Sequence, residues 1–199
     1  RVGHLTRAYG DARMIRKAGI ALLAMALTAC GAPSGPERVV EPRNGVAPAQ
    51  RGGALLRQIM LARHNDARRA VGAPPLVWDD GLAAHALDYA RELARTRRFQ
   101  HAQQPMGPGR EGENLFTGTR DAYSFAEMIQ YWIDERKWFV NAPAPDFSTT
   151  GNGEAVAHYT QIIWRATTRV GCAVASNDRD DYLVCRYAPP GNVIGLRAL

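Results

Sequence analysis

Val170-Gly171-Cys172-Ala173-Val174-Ala175, Ser176-Asn177-Asp178-Arg179-Asp180-Asp181 and Tyr182-Leu183-Val184-Cys185-Arg186-Tyr187 follow one another near the end of the chain. Two β-forming runs flank a cluster of turn residues, a pattern that predicts an antiparallel hairpin. If Asp178-Arg179 is its two-residue loop, position 177 faces 180, 174 faces 183 and 172 faces 185. Counting the alternation outward puts 172 and 185 at a non-hydrogen-bonded site, where Cα atoms stand about 4.5 Å apart, within reach of a disulfide. A one-residue slip of the turn would separate them, so the Cys172–Cys185 pairing depends on that loop.

Upstream of the hairpin the period changes from strand to helix. Leu56, Ile59, Met60, Ala67 and Val71 mark one face of a helix closed by Gly72, and Pro74-Pro75 stops it. A second helix opens near Asp79-Asp80, carries Leu82, Ala86, Tyr89, Ala90 and Leu93 on one face and ends among Arg95, Arg97 and Arg98. A loop with Pro105, Gly107, Pro108 and Gly109 precedes a short strand at 113–117. Ser124-Phe125-Ala126-Glu127 reads as a capping box, opening a third helix striped by Phe125, Met128, Ile129, Trp132 and Ile133. After the Pro, Gly, Ser and Thr segment 141–153, a short helix from Tyr159 to Trp164 leads into the hairpin. Helices first and a hairpin last, without βαβ alternation, predict an α+β domain. A chain of 199 residues accommodates one such core.

The amino-terminal stretch reads differently. Met14-Ile15-Arg16-Lys17 followed by the 12 apolar or small residues from Ala18 to Ala29 is a charged head on a short apolar run. That is the anatomy of an export signal, and it is too short for a transmembrane helix, which needs about 20 residues. Leu27-Thr28-Ala29-Cys30 resembles the lipobox of bacterial lipoproteins, which implies lipidation of Cys30 and attachment to a membrane. An ordinary secretory signal with an incidental Cys is the alternative. Residues 1–13 read as an annotation artefact ahead of the true start at Met14, 14–29 as the signal, 30–52 as a disordered Pro- and Gly-rich tether and 53–199 as the folded domain. Gly31 does not look like an inner-membrane retention signal, so the expected location is the outer membrane, on its periplasmic or cell-surface face. Export would also place Cys172 and Cys185 in an oxidising compartment.

The net charge of +6 is concentrated in the leader. Arg1, Arg7, Arg13, Arg16 and Lys17 precede Cys30 against the single acid Asp11, leaving 20 basic and 18 acidic side chains, a net charge of +2. Without a basic run, the chain lacks the electrostatic footprint of a nucleic-acid binder.

Four stretches, in order, resemble the cysteine-rich secretory protein, antigen 5 and pathogenesis-related 1 (CAP) superfamily over residues 54–193: His64-Asn65-Asp66-Ala67-Arg68, Gly112-Glu113-Asn114-Leu115, His158-Tyr159-Thr160-Gln161-Ile162-Ile163-Trp164, and the segment from Tyr182 to Val193. The resemblance implies a three-layer α-β-α sandwich with a small, three-stranded antiparallel sheet, and a cleft lined by two His and two Glu. Carried over to this chain, these are His101, Glu113, Glu135 and His158, with Asn114 and Gln161 beside them as candidate orienting residues. With one disulfide at most, the chain departs from eukaryotic relatives that are stapled by several.

Two imidazoles with one or two carboxylates suit a borderline cation such as Zn²⁺; Zn²⁺ or Mg²⁺ is the expected cofactor. The same residues also read as a metal-free polar network fixing the sandwich, and both readings stand at this point. His64 continues the Leu56 and Met60 face and reads as a satisfied packing histidine; His85 falls among the core positions of the second helix, and Trp132, Trp138 and Trp164 read as core. No Gly-x-Ser-x-Gly elbow, His-Glu-x-x-His helix or phosphate loop is present, and with all three cysteines committed no thiol is left as a nucleophile. The favoured expectation is a non-enzymatic, cation-dependent surface module for a lipid, a sterol-like molecule or a protein partner. A metal-dependent hydrolase with Glu113 or Glu135 as general base, and a structural envelope lipoprotein, are the alternatives.

Overall fold

The computed structural model describes residues 47–199. The expected signal, Cys30 and most of the tether lie outside the described residues. Those described form α1 (Gly53–Ala70), β1 (Val77–Trp78), α2 (Asp80–Thr96), β2 (Gly112–Thr119), α3 (Phe125–Asp134), α4 (Ala157–Ile163), β3 (Arg169–Ser176) and β4 (Asp180–Ala188), with 3-10 turns at Glu135–Trp138 and Gly153–Val156. No helix among them is long and apolar enough to cross a membrane.

The hairpin of β3 and β4 forms in the predicted register. Asn177 closes the turn, its Oδ1 accepting from the backbone N–H groups of Arg179 and Asp180 at 2.8 Å each, while its own N–H donates to Asp180 O. Cys172 then stands opposite Cys185 with Cα atoms 4.1 Å apart, and the two are disulfide-bonded. The other edge of β4 pairs antiparallel with β2, from Gly112 opposite Tyr187 to Thr119 opposite Asp180.

The sheet has four strands in the order β1-β3-β4-β2, which leaves β2 at an edge. It is therefore mixed and not purely antiparallel: Val77 and Trp78 join β3 in parallel, with Val77 N–H donating to Thr168 O and Asp79 N–H to Val170 O. Two residues between a Pro-Pro stop and a helix cap carry no alternation for a sequence reading to detect.

Side-chain alternation along the strands sorts the core into two layers. Cys172, Leu183, Cys185 and Tyr187 face α1, α3 and α4, whereas Ala173, Tyr182 and Val184 face Ala86, Ala90 and Leu93 of α2. The three-layer sandwich is thus present.

The helix ends follow local chemistry: Asp79 caps α2 by accepting from Leu82 N–H at 3.0 Å, and Ser124 and Glu127 complete the capping box of α3. Contacts begin before Gly53. Ala49 N–H donates to Asp121 O, and Arg51 pairs with buried Asp181 at 2.5 Å, so the ordered domain takes in residues assigned to the end of the tether.

The buried stripe of α1 is Leu56, Met60, His64 and Arg68. Two of its four residues are polar, and both find partners. Arg68, fully buried, donates to four carbonyls: Pro74 O at 2.5 Å, Ile162 O at 2.9 Å, Trp164 O at 2.8 Å and Thr167 O at 2.9 Å. Burial lowers its pKa to about 10, so the guanidinium stays charged at neutral pH.

The amino terminus of α2 lies directly on β3 at Gly171. A methyl group there would meet Asp79 O at 2.5 Å, and also Ala83 N and Leu82 C, all backbone atoms that cannot rotate away. Gly171→Ala is expected to destabilise the fold by about 2 kcal/mol or more through overpacking, read as a lower urea midpoint. An unchanged midpoint would show that α2 can lift off the sheet at little cost.

Candidate functional site

Glu113 and Asn114 are neighbours on the edge strand and point to opposite faces of the sheet. Glu113 lies opposite Arg186, on the α2 side. Its Oε1 accepts from His101 Nδ1 at 2.6 Å and from Ala102 N–H at 3.0 Å, and its Oε2 forms an ion pair with Arg186 Nη2 at 2.8 Å, bent away from hydrogen-bond geometry. A carboxylate only accepts, so in the neutral ring this contact puts the His101 proton on Nδ1 and leaves the lone pair on Nε2. His101 is half exposed while Glu113 is buried.

On the other side of β2 the arrangement repeats. His158 Nδ1 donates to Glu135 Oε1 at 2.6 Å, and Glu135 Oε2 accepts from Tyr159 N–H at 3.0 Å. The imidazole stacks on Trp132, with centroids 5.7 Å apart and planes inclined by 14°, and Trp132 Nε1–H donates to Leu115 O at 3.2 Å. Helix α3 stops at Asp134, so Glu135 opens the following 3-10 turn and reaches α4 from there.

The four residues form two imidazole–carboxylate pairs, one on each side of the edge strand. Among the described residues no three His, Cys, Asp or Glu side chains gather closely enough to hold a metal ion together. The carboxylates are spent on imidazole and backbone donors, and neither Nε2 has a hydrogen-bond partner among the described residues. Nitrogen donors oriented through carboxylates are a donor set that suits Zn²⁺.

Asn114 supports the second pair by donating from Nδ2 to His158 O and to Tyr187 OH, both at 3.1 Å. Gln161 packs against Gly112 but hydrogen-bonds to neither pair: its Oε1 accepts from Gly191 N–H at 2.8 Å and its Nε2 donates to Thr167 Oγ1 at 3.3 Å, tying α4 to the carboxy-terminal segment. His85 is exposed and not in the core. Its Nδ1 donates to Glu111 Oε1 at 2.7 Å, at a cleft of about 570 Å³ that Asp79, Arg110, Arg169 and Pro190 also line. Trp132 and Trp164 are buried as expected, whereas Trp138 is 42% exposed with Lys137 over its ring.

His64 is the packing histidine expected, and it anchors this region from below. Its Nδ1 donates to Met60 O at 2.7 Å and its Nε2 accepts from Tyr187 OH at 2.8 Å, while Asn114 donates to the same hydroxyl. Burial is the main force lowering the His64 pKa, to about 4, and burial also raises that of Tyr187.

A three-layer α-β-α sandwich with paired His and Glu flanking its edge strand defines a class of α+β domain with an open polar site. The model of the cysteine-rich secretory protein family, CAP, matches residues 61–187, and the chain belongs to this family. Pathogenesis-related protein 1B of Nicotiana tabacum is 40% identical over 139 residues, spanning 69% of this chain and 77% of the tobacco protein. Pathogenesis-related protein PR-1 of Medicago truncatula is 37% identical over 139 residues, spanning 69% of this chain and 75% of its own. The solved structure of NaASP2 with Zn²⁺ shares the fold at a TM-score of 0.61 and 23% identity, covering 79% of this chain and 88% of that one. BmVAL-1 does so at 0.60 and 21%, covering 75% and 84%.

The depressed pKa of His64 sets a pH dependence of stability. The folded state keeps the ring neutral down to about pH 4, whereas the unfolded chain takes up the proton below its pKa of 6.5. Stability is therefore complete above about pH 6.5 and falls as pH drops towards 4, by up to about 3 kcal/mol from this residue. Urea unfolding between pH 7 and pH 4.5 should show a steeper loss for the wild type than for His64→Gln; parallel profiles would refute the assignment.

Proposed function

We propose that the chain is an exported lipoprotein, held to a membrane through Cys30, whose CAP domain is a non-enzymatic, cation-dependent binding module. His101 and His158 would hold the cation through Nε2, while Glu113 and Glu135 would orient them from the outer shell. Two nitrogen donors favour Zn²⁺ over Mg²⁺, which demands oxygen ligands. The observation that carries this reading is the repeated 2.6 Å contact between imidazole Nδ1 and carboxylate, which leaves each Nε2 available. Zinc bound there would supply a fixed positive charge for an anionic or carbonyl-bearing group of the ligand. The ligand proposed is a lipid or sterol-like molecule, or a protein partner that docks over the same edge.

The hydrolase reading asks Glu113 or Glu135 to act as a general base. Both carboxylates are engaged by an imidazole and a backbone N–H, Glu113 by Arg186 as well, and this engagement favours binding over catalysis. The anchor rests on Leu27-Thr28-Ala29-Cys30 behind a charged head and an apolar run, and the export on those residues together with kinship to a family of secretory proteins.

Calorimetric titration of the full chain with Zn²⁺ is expected to give a saturable heat that His101→Ala combined with His158→Ala abolishes. Equal heats would leave the metal-free polar network as the role of the four residues. Mass spectrometry of protein from a lipoprotein-processing bacterial host should find acyl chains on Cys30 and none in Cys30→Ser; an unmodified wild-type Cys30 would refute the anchor.

A further inference from the structure

Arg68 and Arg186 are both buried in the sandwich, and their donors are satisfied in opposite ways. Arg68 directs Nε, Nη1 and Nη2 at carbonyl oxygens. Arg186, 5% exposed, places Nη2 2.8 Å from Glu113 Oε2 and Nη1 3.7 Å from Glu111 Oε2, and its Nε has no hydrogen-bond partner. Each acid holds an exposed imidazole: Glu113 that of His101 at 2.6 Å, Glu111 that of His85 at 2.7 Å. Glu111 stands just before β2 and meets Arg186 from the same side as Glu113, which the strand register sets opposite Arg186. The guanidinium lies over the Tyr89 ring at 5.2 Å, and the Tyr89 hydroxyl donates to Gln100 O at 2.6 Å, one residue before His101.

We infer that Arg186 is a positioning residue for His101. By pinning Glu113 Oε2 it keeps Oε1 on the imidazole Nδ1, and through the Tyr89 face it is braced against the residue that fixes the backbone next to His101. This inference rests on the cation-binding reading and deepens it, because the orientation of Nε2 then depends on a residue that touches neither the cation nor the imidazole. Burying a guanidinium with an unmet N–H is costly, and four carbonyls like those around Arg68 would have held it better. What Arg186 has instead is a planar fork that addresses two carboxylates at once, and a lysine offers only a point charge there. Without it, Glu113 is free to rotate away from His101 or to turn towards the cation itself.

The test compares the full-length wild type with Arg186→Met, Arg186→Lys and Glu111→Gln by two readouts, zinc affinity from calorimetry and the His101 tautomer from long-range proton–nitrogen NMR correlation. Arg186→Met is expected to weaken zinc binding about tenfold or more, the size of effect seen when an outer-shell partner is lost, and to remove the Nδ1–H signature of His101 while that of His158 stays. Arg186→Lys should recover part of both, and Glu111→Gln, which removes a charge but leaves Glu113 its partner, should do less than Arg186→Met. Unchanged affinity and tautomer in a folded Arg186→Met would overturn the inference. If the wild type takes up no zinc, the cation reading fails, yet a changed His101 tautomer in Arg186→Met would still establish the positioning role. Should Arg186→Met not fold, Arg186→Lys carries the same two readouts, and wild-type values for both would overturn the inference.

Discussion

The register of the β3–β4 hairpin is the constraint from which the site follows. Cys172 and Cys185 lie 13 residues apart in sequence, and closing a loop of that length removes about 3 kcal/mol of unfolded-state entropy. More consequential here, the bond admits one register, and a slip by one residue would turn every side chain of β4 to the wrong face. With the register held, Arg186 faces α2 and Tyr187 faces α1, and the pairing of β4 with β2 fixes Glu113 and Asn114 in the same way. One covalent link thus decides which layer each member of the polar site belongs to.

Arg68 performs the corresponding task between helices. Its four acceptors come from the Pro74 loop, the end of α4 and the turn before β3, so one side chain on α1 gathers three connections that share no strand or helix hydrogen bond. A buried guanidinium without a carboxylate is tolerated because every nitrogen is occupied by carbonyl dipoles. Removing it would take a donor from all four carbonyls at once, of which Trp164 O keeps the Thr167 N–H, and replacing it with Lys would serve at most three.

How much could be read from the sequence followed the range of the interactions. The Ser124–Glu127 capping box is local in sequence and was legible outright, the hairpin register once Asp178-Arg179 is taken as the loop, and the start of α2 to within the pair Asp79-Asp80. The motif resemblance names His101, Glu113, Glu135 and His158, but their division into two pairs is not legible from it, since Glu135 meets His158 from 23 positions away. Arg51 was assigned to a tether because its partner Asp181 is 130 residues on. His85 was misplaced because helical periodicity assigns faces by spacing, and the exposed rim of α2 beside Glu111 lies within one residue of its buried stripe. Arg68 and Arg186 carried no signal as buried residues, since charge normally marks a solvated position and only tertiary partners overturn that expectation.

The Gly112-Glu113-Asn114 stretch shows why a short motif on the edge strand serves so many ends. A side chain at Gly112 would collide with Gln161, whose Cδ lies 2.9 Å from the position a Cβ would take, so glycine there lets α4 settle against β2. Glu113 then turns to the α2 layer and holds His101, while Asn114 turns to the opposite layer and ties the backbone of His158 to Tyr187 and, through that hydroxyl, to His64. Consecutive residues on a central strand would address neighbouring strands and buried layers alone. Because β2 is an edge, its alternation serves both layers from one strand, and two imidazoles brought by separate segments are held one on each side of it.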